Sequence, residues 1–275
     1  MSTSVNTNPG ALAALQYLNA TNRDLAVTQQ RINTGLKVAG AKDDGGIFAI
    51  AQQMRADLAS LGAVKNSLSR VQSVVDTGLA AGEAVSDLLV QMKAKALAAS
   101  DTSLDTSSRT ALNEDFKALR DQITTIVDNA EFAGSNLIAA ATLSLSALAN
   151  ADGSSTLKVT DEDLSLSGAT ISLSASATFG TASQAASVAS TINADLDRLN
   201  QALARLGTAS KSLETHAIFV SRLSDEVEKG IGNLVDADLA KESARLQSYQ
   251  VKQQLGIQAL AIANAAPQTI LSYFQ

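Results

Sequence analysis

Apolar residues return along most of this chain at alternating steps of four and three. In the first segment the positions are Ala11, Leu15, Leu18, Asn22, Leu25, Gln29, Ile32 and Leu36, a coiled-coil seam with two polar members. The next run is longer: Leu61, Val64, Leu68, Val71, Val75, Gly78, Gly82, Val85, Leu89, Met92 and Ala96. It predicts one helix from near Ile47 to near Ser100, roughly 80 Å long at the usual rise per residue. That is too long for an ordinary globular helix and suits a rod. Asp101-Thr-Ser-Leu-Asp-Thr-Ser-Ser108 reads as a loop with helix-capping residues. A further helix carries Leu112, Phe116, Leu119, Ile123 and Ile126, and the pattern stops near Phe132-Ala-Gly-Ser-Asn136.

Residues 141–182 are rich in Ser, Thr, Ala and Gly. Leu157-Lys-Val159, Leu164-Ser-Leu166 and Ile171-Ser-Leu173 alternate, which predicts small half-buried strands. The segment is too short for a domain core of its own. Helix then returns: Leu206, Ser210, Leu213, Ala217, Val220, Ser224, Val227, Ile231 and Leu234 again step by four and three. So do Leu239, Glu242, Leu246, Tyr249, Gln253, Gly256, Leu260, Ala263, Pro267, Ile270 and Phe274. The expected fold is mainly α, a long helical rod or coiled-coil hairpin with a small central β segment. Helices lie at both ends, and longer helices inside them flank the centre. The terminal seams carry Asn22, Gln29, Glu242, Gln253 and Pro267, so a pair of end helices is expected to be marginal alone. It is expected to order when many copies bury it together.

Composition narrows the function classes. Apolar residues make up 45% of the chain but aromatics only 3%, so the core is aliphatic and suits lengthwise helix packing. The two prolines, Pro9 and Pro267, leave room for unbroken helices between them. A net charge of −6 with scattered Lys and Arg disfavours nucleic acid as a partner. No apolar run is long enough to span a membrane, and no membrane partner is expected. The first residues lack a basic region followed by an apolar stretch, so no cleavable secretory signal is expected, which alone would suggest the cytoplasm. There is no cysteine, hence no disulfide or thiol metal site. His216 is the sole histidine, which excludes a two-histidine metallopeptidase motif. It is expected to be a partly exposed helix residue, and no enzyme activity, cofactor or metal is expected. Lys37, Lys42, Asp43 and Asp44 beside Arg31 are expected to be a charged linker whose ions pair within or between subunits.

Two stretches resemble a known family. Gln30-Arg-Ile-Asn-Thr-Gly-Leu-Lys37, Ala41-Lys-Asp-Asp44 and Ala49-Ile-Ala51 resemble the amino-terminal signature of bacterial flagellins, with Asn6-Thr-Asn8 like its start. At the other end Asp236-Ala-Asp-Leu-Ala-Lys-Glu242, Gln253-Gln-Leu-Gly256, Leu260-Ala-Ile-Ala-Asn264, Pro267-Gln268 and Ile270-Leu271 resemble the carboxy-terminal signature. The likeness covers roughly residues 5–140 and 185–275. Lys37, Val38, Ala39 and Gly40 stand where the family's Arg-Ile-Asn-Ser usually precedes Ala-Lys-Asp-Asp, and Gln275 replaces a common terminal Arg. The large outer domains of long flagellins are missing.

The resemblance implies a structural subunit of the bacterial flagellar filament. Residues 1–34 and 240–275 would be the two halves of an inner coiled-coil domain. Residues 35–140, 141–182 and 183–239 would form a helical rod domain with its linkers and small β segment. Filament-core packing would fall to Leu15, Leu18, Leu25, Ile32, Leu239, Leu246, Leu260, Ile270 and Phe274, and the linker signature to Arg31, Gly35, Lys42, Asp43 and Asp44. Implied partners are further copies, possibly with related flagellins, the flagellar export apparatus, a cytoplasmic chaperone, and cap and junction proteins. Export through the flagellar type III apparatus needs no cleavable signal and places the chain outside the cell, overturning the cytoplasmic expectation. Well-recognised flagellins carry Leu-Gln-Arg-Val-Arg-Glu-Leu where this chain has Leu89-Val-Gln-Met-Lys-Ala-Lys95. Leu89, Gln91 and Ala94 are therefore the positions aligned with the contact site of the vertebrate innate receptor. The exposed centre of flagellins is often O-glycosylated, and composition selects no single site here. A hook–filament junction protein and a chemoreceptor-type signalling coiled coil share the helical ends or the heptads. The close carboxy-terminal match and short centre disfavour the junction protein, and the terminal signatures disfavour the signalling coiled coil.

Overall fold

The computed structural model describes residues 7–140 and 144–271, with side chains described as far as residue 265. Helix α1 is Pro9–Thr34, α2 Gly45–Ala99, α3 Thr106–Asn129, α4 Ala182–Val235 and α5 Leu239–Leu271. Four short strands lie between α3 and α4: β1 Glu131–Phe132, β2 Ser135–Asn136, β3 Leu145–Leu148 and β4 Thr156–Val159. The chain divides into two compact units, Met1–Ala56 with Glu226–Gln275, and Asp57–Asp225. Helices α2 and α4 contribute a segment to each.

In the unit Asp57–Asp225 the long apolar run does what its spacing predicts: every position from Leu61 to Ala96 in that seam is buried. Helix α4 runs antiparallel to it. Gln72 Nε2 donates to Ser210 Oγ at 2.6 Å and Lys93 Nζ to Asn193 Oδ1 at 2.5 Å. Close approach falls where glycine removes the side chain: a Cβ on Gly82 would lie 2.5 Å from Leu203 Cδ2. Helix α3 starts at Asp105, whose Oδ1 accepts the Ser108 amide at 2.7 Å. Hydrogen bonds from the Ser108 side chain and amide hold the Asp105 carboxyl below its ordinary value. The buried face of α3 carries Asn113, Phe116, Ile123 and Val127, while Leu112, Leu119 and Ile126 are half-buried. Asn113 is inside because its Oδ1 takes the Phe179 amide at 2.8 Å, and the Phe116 and Phe179 rings meet edge to face at 5.1 Å.

The central segment is less of a sheet than the alternation predicts. Leu157-Lys-Val159 does form a strand, β4, in antiparallel register with β3 (Leu145 opposite Val159, Leu148 opposite Thr156). Leu164-Ser-Leu166 and Ile171-Ser-Leu173 do not form a ladder, and only Leu166 and Ile171 share an isolated bridge. Side chains take over the role of the ladder. Asp195, wholly buried on α4, accepts the Ser172 amide at 2.9 Å, the Ser172 hydroxyl at 2.9 Å and the Leu173 amide at 3.0 Å, and it pairs with Arg198. Arg198 Nε also donates to the Thr170 carbonyl at 2.9 Å. Arg205 grips Glu162 with Nε and Nη2, each at 2.6 Å, and this pairing raises the arginine's pKa further. Local side-chain bonds of this kind compete with strand pairing in a segment rich in Ser, Thr and Asp. The apolar members Leu164, Ile171, Leu173 and Phe179 are buried. His216 lies half-buried on α4, in keeping with the partly exposed helix position expected of it, and its Nε2 donates to the Ala149 carbonyl at 2.7 Å, just past β3.

Candidate functional site

The unit that joins the chain ends is built on one antiparallel pair, α1 against α5. Its alignment is fixed by four contacts. Asn8 Nδ2 donates to the Ala263 carbonyl at 2.7 Å, and Gln253 Nε2 donates to Asn22 Oδ1 at 2.7 Å. A Cβ on Gly256 would sit 3.2 Å from Leu18 Cδ1, and Arg31 Nη1 lies 3.6 Å from Glu242 Oε1.

From Glu242 to Ala263 the seam expected for α5 is the one observed: Glu242 is buried, and Leu246, Tyr249, Gln253, Gly256, Leu260 and Ala263 are half-buried between exposed neighbours. The expected seam of α1 needs correction at alternate positions. The inward residues are Ala11, Ala14, Leu18, Thr21, Leu25, Thr28 and Ile32. Leu15 is 43% exposed, Gln29 is exposed, and Asn22 is exposed at the edge of the seam, where its Oδ1 still meets Gln253. Both phases satisfy a four-three repeat. Packing selects the one that puts the smaller side chains between closely approaching helices. Leu239, expected in the packing set, is 49% exposed at the start of α5. Leu18, Leu25, Ile32, Leu246 and Leu260 are brought together in the pair. Ile270 lies in α5, but its side chain, like all of Phe274, is outside the described residues. Helix α5 continues through Pro267, so that residue marks no helix end.

The pair leaves much apolar surface uncovered within the described chain. Leu12, Tyr17 and Val27 on α1, and Val251, Leu255, Ile257 and Ile262 on α5, are exposed, Tyr17 by 76% and Ile262 by 72%. These apolar side chains recur along both helices and are open to a covering partner.

Apart from Arg31, which pairs with Glu242, and the exposed Lys42, the linker-signature residues are placed by bonds to backbone groups. Gly35 ends α1 in the left-handed conformation, φ 71°, with its amide on the Arg31 carbonyl at 2.9 Å. Leu36 bridges Asp236, and the Lys37 and Ala237 amides donate to the Val235 and Gly35 carbonyls at 2.7 and 2.8 Å. Asp43 Oδ2 accepts the Ala39 and Gly40 amides at 2.9 and 3.1 Å, and Asp44 Oδ1 accepts the Ile47 amide at 2.9 Å, starting α2. Lys42 is exposed and Lys37 Nζ donates to the Asn233 carbonyl at 3.0 Å. Within one chain Asp43 and Asp44 make turn and cap bonds, the usual use of Asp next to a helix start, rather than ion pairs. Among the receptor-aligned positions Gln91 and Ala94 are exposed on α2, whereas Leu89 is fully buried in the rod core and unavailable to a partner.

No described helix is long and apolar enough to cross a membrane. Residues 5–142 match the bacterial flagellin N-terminal helical region, and residues 189–274 match the C-terminal helical region. Flagellin FljM of Caulobacter vibrioides is 53% identical over 272 residues, covering 99% of this chain and 98% of its own. The flagellin of Brucella melitensis is 37% identical and flagellin C of Rhizobium meliloti 33% identical, each over 99% of both chains. The chain belongs to the bacterial flagellins, the structural subunits that polymerise into the extracellular flagellar filament.

Proposed function

We propose that α1 and α5 form the inner tubes of that filament, and that further copies of the chain cover the apolar side chains the pair leaves exposed. The observation that carries this reading is the exposure of Leu12, Tyr17, Val251, Leu255, Ile257 and Ile262 on a helix pair whose own seam is mostly half-buried. Such a pair gains most of its stability from association, because isolated helices held by small residues are marginal. The resemblance supports residues 1–34 and 240–275 as this inner domain and 35–46 with 229–239 as linkers. It also supports passage through the flagellar type III export apparatus with help from a chaperone, growth beneath a cap protein, and a purely structural, non-catalytic role.

The test is Leu260→Asp. Leu260 is half-buried on the α5 seam. A buried Leu contributes ~1.5–3 kcal/mol, and a carboxylate there adds a desolvation penalty in every subunit. The expected outcome is loss of seeded filament growth, seen by electron microscopy, with the melting transition of the unit Asp57–Asp225 unchanged. Normal filaments from the variant would refute the reading.

A further inference from the structure

The most buried described side chains of the terminal helix pair are polar, not apolar. Thr28 (3% exposed) is the buried residue of α1, and Glu242 (5% exposed) is the buried one among the described side chains of α5. Two cations flank the carboxylate: Arg245 Nη1 at 2.7 Å and Arg31 Nη1 at 3.6 Å, both on Oε1. Glu242 Oε2 and Arg31 Nε are buried and have no hydrogen-bond partner. A buried ion cluster left partly unsatisfied is a poor stabiliser, because desolvation of the carboxylate is only partly offset. Its position near the start of α5 helps the carboxylate through the helix dipole. That does not explain why an apolar residue is absent.

We propose that this layer is a register determinant of the α1–α5 pairing, with Glu242 as its specificity-determining residue. Besides this layer, register is marked by Asn8 on Ala263, Gln253 on Asn22 and Leu18 on Gly256, while the purely apolar positions of the seam discriminate weakly. Ala11, Ala14, Thr21 and Ile32 on one helix face Leu246, Leu260 and Ala263 on the other, and small or aliphatic residues meet after a slip of one heptad as well. Glu242 does not tolerate the slip. In the observed alignment Leu18 lies on Gly256, Asn22 on Gln253 and Arg31 beside Glu242. Moving α5 by seven residues one way sets Glu242 against Leu25 and Leu18 against Tyr249. Moving it the other way carries Glu242 past the end of α1 at Thr34 to the level of Val38. Either slip separates the carboxylate from Arg31, leaving it only Arg245 of its own helix, and taking one of two cations from a buried carboxylate raises its desolvation cost. The layer therefore acts by penalising wrong alignments, as a lone buried polar residue does in a coiled coil. The inference rests on the pairing geometry and not on the inner-tube assignment.

The chain has no cysteine, so introduced pairs report the alignment directly. Asn22→Cys with Gln253→Cys reads the observed register, and Asn22→Cys with Leu246→Cys reads the one-heptad slip. Oxidative cross-linking is measured in the full-length chain, both unassembled and in seeded filaments. With Glu242 present, only the first pair is expected to close. In a Glu242→Met background the slipped pair is expected to gain about tenfold in yield at the expense of the first. Glu242→Gln, which keeps an acceptor for the arginines, is expected to restore the first pair. If Glu242→Met blocks growth, the unassembled chain carries the same reading. The proposal is overturned if Glu242→Met still closes only the observed pair, or if the slipped pair already closes with Glu242 in place. Loss of both pairs in Glu242→Met would overturn it too, since a merely stabilising layer behaves that way, as would the absence of cross-links in every background.

Discussion

Asn8 donates its side-chain amide to the Ala263 carbonyl, the acceptor that Pro267, lacking a backbone N–H, leaves without its helical donor four residues on. The same side chain caps α1, its Oδ1 accepting the Ala11 amide at 3.1 Å. One asparagine thus starts one terminal helix and repairs the other.

The two roles separate in a double-mutant cycle. Asn8→Ala removes a cap worth ~1 kcal/mol and orphans a carbonyl at a further cost of ~1–3 kcal/mol. In a Pro267→Ala background the residue at 267 regains an amide for Ala263, so only the cap is lost. Filament melting should therefore show a coupling of ~1 kcal/mol or more between the sites. Asn8→Asp, which keeps the cap oxygen and loses the donor, should behave like the carbonyl defect alone. Additive effects would show that Asn8 does not serve Ala263.

Weak recognition by the vertebrate innate receptor is expected. With Leu89 buried, the aligned contact falls to the exposed Gln91 and Ala94, which offer no charge where well-recognised flagellins carry Arg and Glu. Gln91→Arg with Ala94→Glu should raise the potency of pure monomer in a reporter-cell assay by about tenfold or more, the scale of a restored charged anchor. Unchanged potency, or full activity of the unsubstituted chain, would sink the idea.

Gly82 is held by its neighbour across the rod. Gly82→Val should destabilise the unit Asp57–Asp225 by ~1–3 kcal/mol through overpacking against Leu203. Combining it with Leu203→Ala should recover part of that loss. Chemical denaturation of the monomer reads both, and a Gly82→Val variant as stable as the parent would contradict the close approach.

How legible these features were in the sequence follows from their chemistry. The α2 seam was fully readable, since every position from Leu61 to Ala96 at the strict four-three spacing is buried, most of them aliphatic. On α1 the pattern admitted two phases, and hydrophobicity alone favoured Leu15 over Ala14. The deciding factor was helix separation, visible only in Leu18 against Gly256. Glu242 fell on its seam as a flaw, because the cations beside it come from Arg31 on another helix and from Arg245. The segment 161–179 was unreadable as strands. Its order comes from Asp195, Arg198 and Arg205 on α4, bonding to backbone groups, Ser172 and the Glu162 carboxylate, which leave no periodic trace.

Asp195 is the residue whose loss should damage the rod unit most. It is fully buried, and its carboxylate satisfies two backbone amides, a serine hydroxyl and Arg198 at once. Asp195→Ala leaves the Ser172 and Leu173 amides without acceptors and the Arg198 charge without its partner. Breaking a buried, hydrogen-bonded ion pair costs ~3–5 kcal/mol. Arg198 is partly exposed and rehydrates, which puts the expected loss toward the lower end of that range. Asp195→Asn keeps one acceptor and the shape, so it should lose less, mainly the charge-assisted part. Asp197→Ala, two residues away and exposed, should change stability by less than about 0.5 kcal/mol. Urea denaturation of the three monomers ranks them. Hydrogen exchange should show lost protection at Ser172 and Leu173 in Asp195→Ala before α2 is affected, because those amides depend on this carboxylate alone. Equal stabilities for Asp195→Ala and Asp197→Ala would mean that the segment is held by its apolar residues Leu164, Ile171 and Leu173, with the carboxylate contributing nothing.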